Sequence, residues 1–210
     1  PHPVGAIQHR ETHVSHVFLA GAFAYKLKKA VKFPFLNAST LTLRRRFCLL
    51  EVSLNRRLAP RVYLGIVPVV ETPQGLRLGG RGPHTNQFSV GTGRVVEWLV
   101  KMRRLPEERM LDRLVASRRV SRSDLVHVAD RLVPFFRRAA RSRAITHFGL
   151  PEQVEELVLG NLRECRPFVG KCFSEADRAF LAAASRQDLA LHEPLLTRRV
   201  REGRILDGHG

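Results

Sequence analysis

The chain has 210 residues, enough to bury a sizeable core in one large domain or two small lobes. Its formal net charge of +17 favours an anionic partner, but the basic residues are mostly arginines scattered through helical stretches, and no RNA-recognition strand motif, zinc finger or helix-turn-helix accompanies them. The longest apolar run, Val17 to Tyr25, is too short for a bilayer, no secretory signal opens the chain, and Cys48, Cys165 and Cys172 lack zinc-ligand spacing, which fits free thiols in a reducing cytoplasm.

Residues 4–8 read as a preliminary strand. From Glu11 to Lys29 two short strands meet at a tight turn broken by Gly21. In the second strand the period of two puts Ala24, Lys26 and Lys28 on one face and Phe23, Tyr25 and Leu27 on the other. Four of the six lysines (Lys26, Lys28, Lys29, Lys32) fall within seven residues. That cluster suits either a solvated edge strand, where lysine discourages pairing between sheets, or a phosphate site. His13 and His16 are three apart on a strand and face opposite sides, so they cannot share a metal ion. No metal site is expected.

Asn37-Ala38-Ser39-Thr40 offers N-cap chemistry for a helix that runs to about Leu58 and stops before Pro60. Leu43, Phe47, Leu50, Leu54 and Leu58 predict its buried stripe. Glu51 lies beside that stripe with no cation at the interacting helical offsets. Its carboxylate either reaches water at the stripe's edge or takes a partner from elsewhere in the chain, because an unpaired buried charge costs several kcal/mol. Strands follow at Val62–Val70 and Leu76–Leu78, then a glycine-rich loop from Gly79 to Gly93 without P-loop signature, then a strand at Val95–Met102.

Arg103-Arg104-Leu105 is a short bridge, and Pro106-Glu107-Glu108 starts the helical part. Met110, Leu111, Leu114 and Val115 share one stripe. Ser121 and Asp124 form a capping box ahead of Leu125, Val128, Leu132 and Phe136. Pro151 opens another helix, Ser174 caps a fourth, and Pro194 starts a fifth that Gly203 ends. The acidic residues Glu152, Glu155, Glu156, Glu164, Glu175 and Asp177 read as solvated helix faces. The order is α+β: an antiparallel strand region with one inserted helix, then helices.

The runs ETHVSHVFLAGAFAYKLKKAVKFPFL, CLLEVSLNRRLAPRVYLGIVPV and VVEWLVKMRRLPEERML resemble a bacterial aminoglycoside phosphotransferase-like family. Some of its members continue into a second, P-loop ATP-binding domain. The resemblance implies a protein-kinase-like, two-lobed fold, with residues 1–102 as the nucleotide-binding lobe and 103–210 as hinge and partial helical lobe. It also implies an ATP- and Mg²⁺-dependent transfer of phosphate to a hydroxyl of a small acceptor.

Under it, Phe23-Ala24-Tyr25-Lys26 matches the Val-Ala-x-Lys strand. Lys26 holds the phosphates, Glu51 orients it, and Lys28 is the reserve. Thr12, His13 and Ser15 fall in the turn over the phosphates, and Ala24 lines the adenine site. Met102, Arg103 and Leu105 form the hinge. Asp207-Gly208-His209-Gly210 is similar to the front of the His-Gly-Asp-Leu catalytic loop, with His209 in a catalytic position. The catalytic aspartate and the Mg²⁺ ligands are expected beyond residue 210, so these residues alone are expected to be inactive in transfer. Two rivals remain: a non-catalytic nucleotide-binding regulatory module, and a basic nucleic-acid-binding protein supported by charge alone.

Overall fold

The computed structural model describes residues 5–81, 88–89 and 93–208. These divide into two compact units, residues 1–132 and 133–210. In the first unit the strands are β1 (Gln8–Glu11), β2 (Ser15–Ala20), β3 (Phe23–Lys28) and the short pair β4 (Lys32–Phe33) and β5 (Leu36–Asn37). Helix α1 (Leu41–Arg56) follows, then β6 (Tyr63–Thr72), β7 (Gly75–Leu78), β8 (Gly80–Arg81), β9 (Phe88–Ser89) and β10 (Arg94–Arg103). Six strands form one antiparallel sheet in the order β1-β2-β3-β10-β6-β7. The last strand of the series thus inserts between β3 and β6.

The first strand lies later than the sequence predicts, at Gln8–Glu11 rather than at residues 4–8, because it pairs with β2 in the register His9↔Phe18 and Glu11↔His16. Gly21, at φ +57°, opens the two-residue turn between β2 and β3 in the left-handed region that glycine enters without strain. On one sheet face Trp98 and Val100 meet Cys48 and Val52 of α1, with Ile66 completing the cluster. On the opposite face Ala20, Tyr25 and Leu99 pack with Phe18, Phe23, Leu27 and Val69.

The buried stripe of α1 differs from the leucine stripe. Arg44, Cys48 and Val52 face the sheet, while Leu50 and Leu54 are exposed. At 100° per residue the helix is rotated by roughly a third of a turn from the predicted orientation. Polar partners account for the rotation. Arg44 reaches Glu97 and the carbonyls of Ala38 and Ser39, and Glu51 reaches the β3 lysines, only with this face inward. The short side chains of Cys48 and Val52 also let the helix sit close to the fully buried Val100. Thr40 is the N-cap, its hydroxyl accepting from the Leu43 N–H.

The helical region contains α2 (Leu111–Ala116), α3 (Arg122–Arg138), α4 (Arg143–His147), α5 (Pro151–Glu164) and α6 (Glu175–Arg201). The capping box at Ser121/Asp124 forms as the spacing predicts, and Ser174, expected as a cap, makes a second box with Asp177. The apolar stripe of α2 and α3 stays largely exposed at Met110, Leu111, Val115, Leu125, Val128 and Phe136. Periodicity fixes which residues share a face, not what covers it. Pro194 does not begin a separate helix: α6 is one helix of 27 residues with the proline inside it. The proline removes one backbone donor, yet the capped first turn and long flanking segments carry the helix through. Among the described residues no helix is long and apolar enough to cross a membrane.

Candidate functional site

Strand alternation and the docking of α1 converge on one group of charges. β3 presents Lys26 and Lys28 on the face that α1 covers, and α1 presents Glu51 to them. Lys26 Nζ donates to Glu51 Oε1 at 2.9 Å, and Lys28 Nζ donates to Glu51 Oε2 at 2.6 Å. Of the two outcomes open to Glu51, water or a distant partner, the structure has the second: two ammonium groups, one on each carboxylate oxygen. The two lysines are not equivalent: the Lys26 side chain is 29% exposed and that of Lys28 only 16%. Lys28 is the inner anchor, and Lys26 is the ammonium nearer solvent.

Burial alone pushes the Glu51 carboxyl up. The Lys28 hydrogen bond and charge, followed by those of Lys26, outweigh burial and hold it below the usual carboxylate range. The carboxylate is thus fixed in its charged form, and one carboxylate against two ammonium groups leaves one positive charge in excess. Around the group, Asn55 Nδ2 donates to the Glu51 carbonyl at 2.8 Å, and Cys48 lies one turn earlier on α1. Burial raises the Tyr63 phenol, with the Glu51 charge adding to it.

The register sets what stands beside the lysines. Ser15 is opposite Lys28, Val17 opposite Lys26 and Leu19 opposite Ala24 on β2. On β10, Val100 is opposite Lys26 and Met102 opposite Ala24. Ala24 is buried, so the strand has a small side chain between Met102 and Leu19. Ser15 is 1% exposed, and its hydroxyl has no hydrogen-bond partner among the described residues. Such an unsatisfied buried hydroxyl costs about 1–3 kcal/mol.

The turn between β1 and β2 is closed on itself. The Thr12 N–H and hydroxyl both donate to the Ser15 carbonyl, at 2.8 and 3.2 Å, and the Ser15 N–H donates to Thr12 Oγ1 at 3.0 Å. These groups hold the turn rather than pointing outward as free donors, and His13 is exposed at its tip. At the other end of the sheet β10 extends through Arg103. The Arg103 N–H donates to the Val62 carbonyl and the Arg104 N–H to that of Ala22. Leu105 follows as an exposed residue outside the strand. His209 lies outside the described residues. Just before it, the Asp207 N–H donates to the Ala140 carbonyl.

Sequence reasoning missed a second interior ion pair. Arg44 Nε donates to Glu97 Oε2 at 2.8 Å, with both side chains largely buried, while Glu97 Oε1 accepts from the Trp98 N–H. Arg45 stands 5.1 Å over the Trp98 ring centroid. Arg44 is set apart from the many other arginines only by its i−4 spacing from Cys48, a signal that the leucine periodicity hid.

No family model matches the chain, and no solved structure matches it. Among curated proteins it is similar to uncharacterized proteins of Mycobacterium bovis and of two strains of Mycobacterium tuberculosis. Each is 32% identical over 200 residues, a stretch covering 95% of this chain and 36% of the relative. The chain thus spans about a third of the length of the curated relatives it matches.

Proposed function

We propose that these residues are the nucleotide-holding part of an ATP-dependent phosphotransferase of the protein-kinase-like, aminoglycoside phosphotransferase-like class. The intact protein would transfer phosphate to a hydroxyl of a small acceptor. The observation that carries this reading is the Lys26–Glu51–Lys28 group between β3 and α1, with its excess positive charge. A strand lysine paired to a carboxylate of the inserted helix is the arrangement that orients an ammonium toward the phosphates of a bound nucleotide. Lys26, nearer solvent, contacts phosphate, and Lys28 anchors Glu51. Ala24 leaves room for the adenine ring beside Met102.

The site fits ATP in two further respects. The Ser15 hydroxyl, opposite Lys28 and without a partner among the described residues, is a donor that a phosphate oxygen would reach once the β1–β2 turn above it lifts. With the N–H groups of Arg103 and Arg104 spent on the Val62 and Ala22 carbonyls, the hinge donor to adenine falls to Leu105. Mg²⁺ neutralises charge on the phosphates when bound, and by the family resemblance its ligands and the catalytic aspartate follow residue 210. The greater length of the relatives leaves room for further domains in the intact protein, and the family resemblance implies that a P-loop ATP-binding domain is one of them.

Calorimetric titration with ATP tests the reading. Lys26→Ala should weaken binding by about tenfold or more, the value of one charge-assisted hydrogen bond. Lys28→Ala should retain most of the binding in the folded fraction. Nucleotide binding indifferent to both substitutions would overturn the assignment. Binding of random-sequence DNA in place of ATP, collapsing between low and moderate salt, would favour the nucleic-acid rival instead.

A further inference from the structure

The opposite face of the sheet carries a second cluster with its own chemistry. His9 and Glu11 are two apart on β1 and share a face. Glu11 is directly opposite His16 on β2, and His9 is its diagonal neighbour. His9 Nε2 and His16 Nδ1 stand 3.0 Å apart, and one ligand atom from each of the three residues lies within 4.8 Å of the other two. For two nitrogens bound at about 2.0–2.1 Å to one tetrahedral ion, the separation between them is roughly 3.4 Å. A small rotation of either ring bridges that difference. We propose that His9, Glu11 and His16 form a binding site for a divalent transition-metal ion, zinc or a near neighbour.

Three features distinguish this cluster from a chance pair of surface histidines. Both rings are held by stacking: the His9 ring is 5.0 Å from the Phe18 ring and 5.2 Å from that of His16, so the ligands are ordered before metal arrives. The third donor is a carboxylate. Lys29 Nζ donates to Glu11 Oε1 at 2.5 Å, which orients the carboxylate while its second oxygen stays available to an ion. The donor set also suits the metal, since two imidazoles and a carboxylate favour zinc, copper or nickel over calcium or magnesium. Water would fill the remaining coordination positions, as the cluster is largely exposed. The Lys29 ammonium opposes the ion's charge. The other nearby cation, Arg10, belongs to the other face by strand alternation and pairs with Glu107.

His13, the histidine nearest to His16 in the sequence, lies in the turn before β2 rather than on the strand. The productive partner is His9, reached across the β1–β2 register. An ion there would tie the edge strand β1 to β2 just before the Thr12–Val14 turn. It would do so on the face opposite Lys26, whatever that lysine binds.

Isothermal titration of the whole chain with ZnCl₂, alongside cobalt(II) absorption spectra, tests the proposal. The expected result is one ion per chain and a cobalt d–d spectrum of a low-coordinate nitrogen and oxygen site. His9→Asn or His16→Asn should each weaken zinc binding by more than about tenfold. His13→Asn and His192→Asn should leave it unchanged. In the unmodified chain, zinc should move the ring ¹⁵N resonances of two histidines, a readout that does not depend on any variant folding. Absence of saturable binding, or affinity indifferent to both His9→Asn and His16→Asn, would overturn the proposal.

Discussion

Glu51 is held by two cations that arrive from one strand, and its substitution separates their contributions. Glu51→Gln leaves two ammonium groups facing each other at a part-buried position, and the expected cost is about 3 kcal/mol, measured by urea unfolding. The acid limb gives a second readout. The carboxyl is held below its usual range, so its contribution is fully present above the unfolded value of about 4.3 and fades as pH falls through the lower native value. Stability of the unmodified chain should therefore fall more steeply below about pH 4.5 than that of Glu51→Gln. Equal slopes would remove Glu51 from the account. At this scale the helix pattern raised the question of a partner for Glu51, and only the family resemblance pointed to Lys26, with Lys28 in reserve. A carboxylate with no cation at its helical offsets announces a distant partner. That both Lys26 and Lys28 answer it depends on where α1 docks, which no local pattern contains.

Three helix starts were legible because capping is local chemistry, written within four residues; the helix expected from Pro106 opens only at Leu111, after a 3-10 turn at Glu107–Arg109, and α4 was not foreseen. Thr40, Ser121 and Ser174 each accept the N–H that their spacing predicts. Ser174→Ala should lower stability by about 1 kcal/mol. Helix continuation was less legible. Pro194 reads as a boundary by its own conformational limits, yet α6 runs through it, because a helix already nucleated loses only one bond and some steric comfort there. Pro194→Ala should raise the thermal midpoint, with a gain of up to about 3 kcal/mol if the proline geometry is fully relieved. An unchanged or lower midpoint would mean that its ring is packed to advantage. The rotation of α1 belongs to the same scale: leucine spacing described a stripe, and two interior ion pairs chose a different one.

In the unit of residues 1–132 one sheet separates two apolar clusters, and α1 closes the first of them. The α+β order was readable from the change of period near residue 103. The strand order was not, because the insertion of β10 between β3 and β6 rests on pairings about 25 to 80 residues apart, and side-chain alternation is the same whichever neighbour a strand takes. Cys48 lies beneath α1 against this sheet, with no exposed surface; burial raises its thiol to about 11, and its Sγ faces the Trp98 carbonyl at 3.7 Å. Cys172, by contrast, is exposed. The molecule thus carries an internal clock. With excess alkylating reagent at pH 8, Cys172 should react at once, whereas Cys48 should wait for α1 to lift from the sheet, so its labelling rate reports that opening. Under the proposed nucleotide reading, saturating ATP should slow the Cys48 phase alone, since a ligand on Lys26 would deplete the opened population. If Cys48 were modified as fast as Cys172, the helix would be opening far more often than its packing implies.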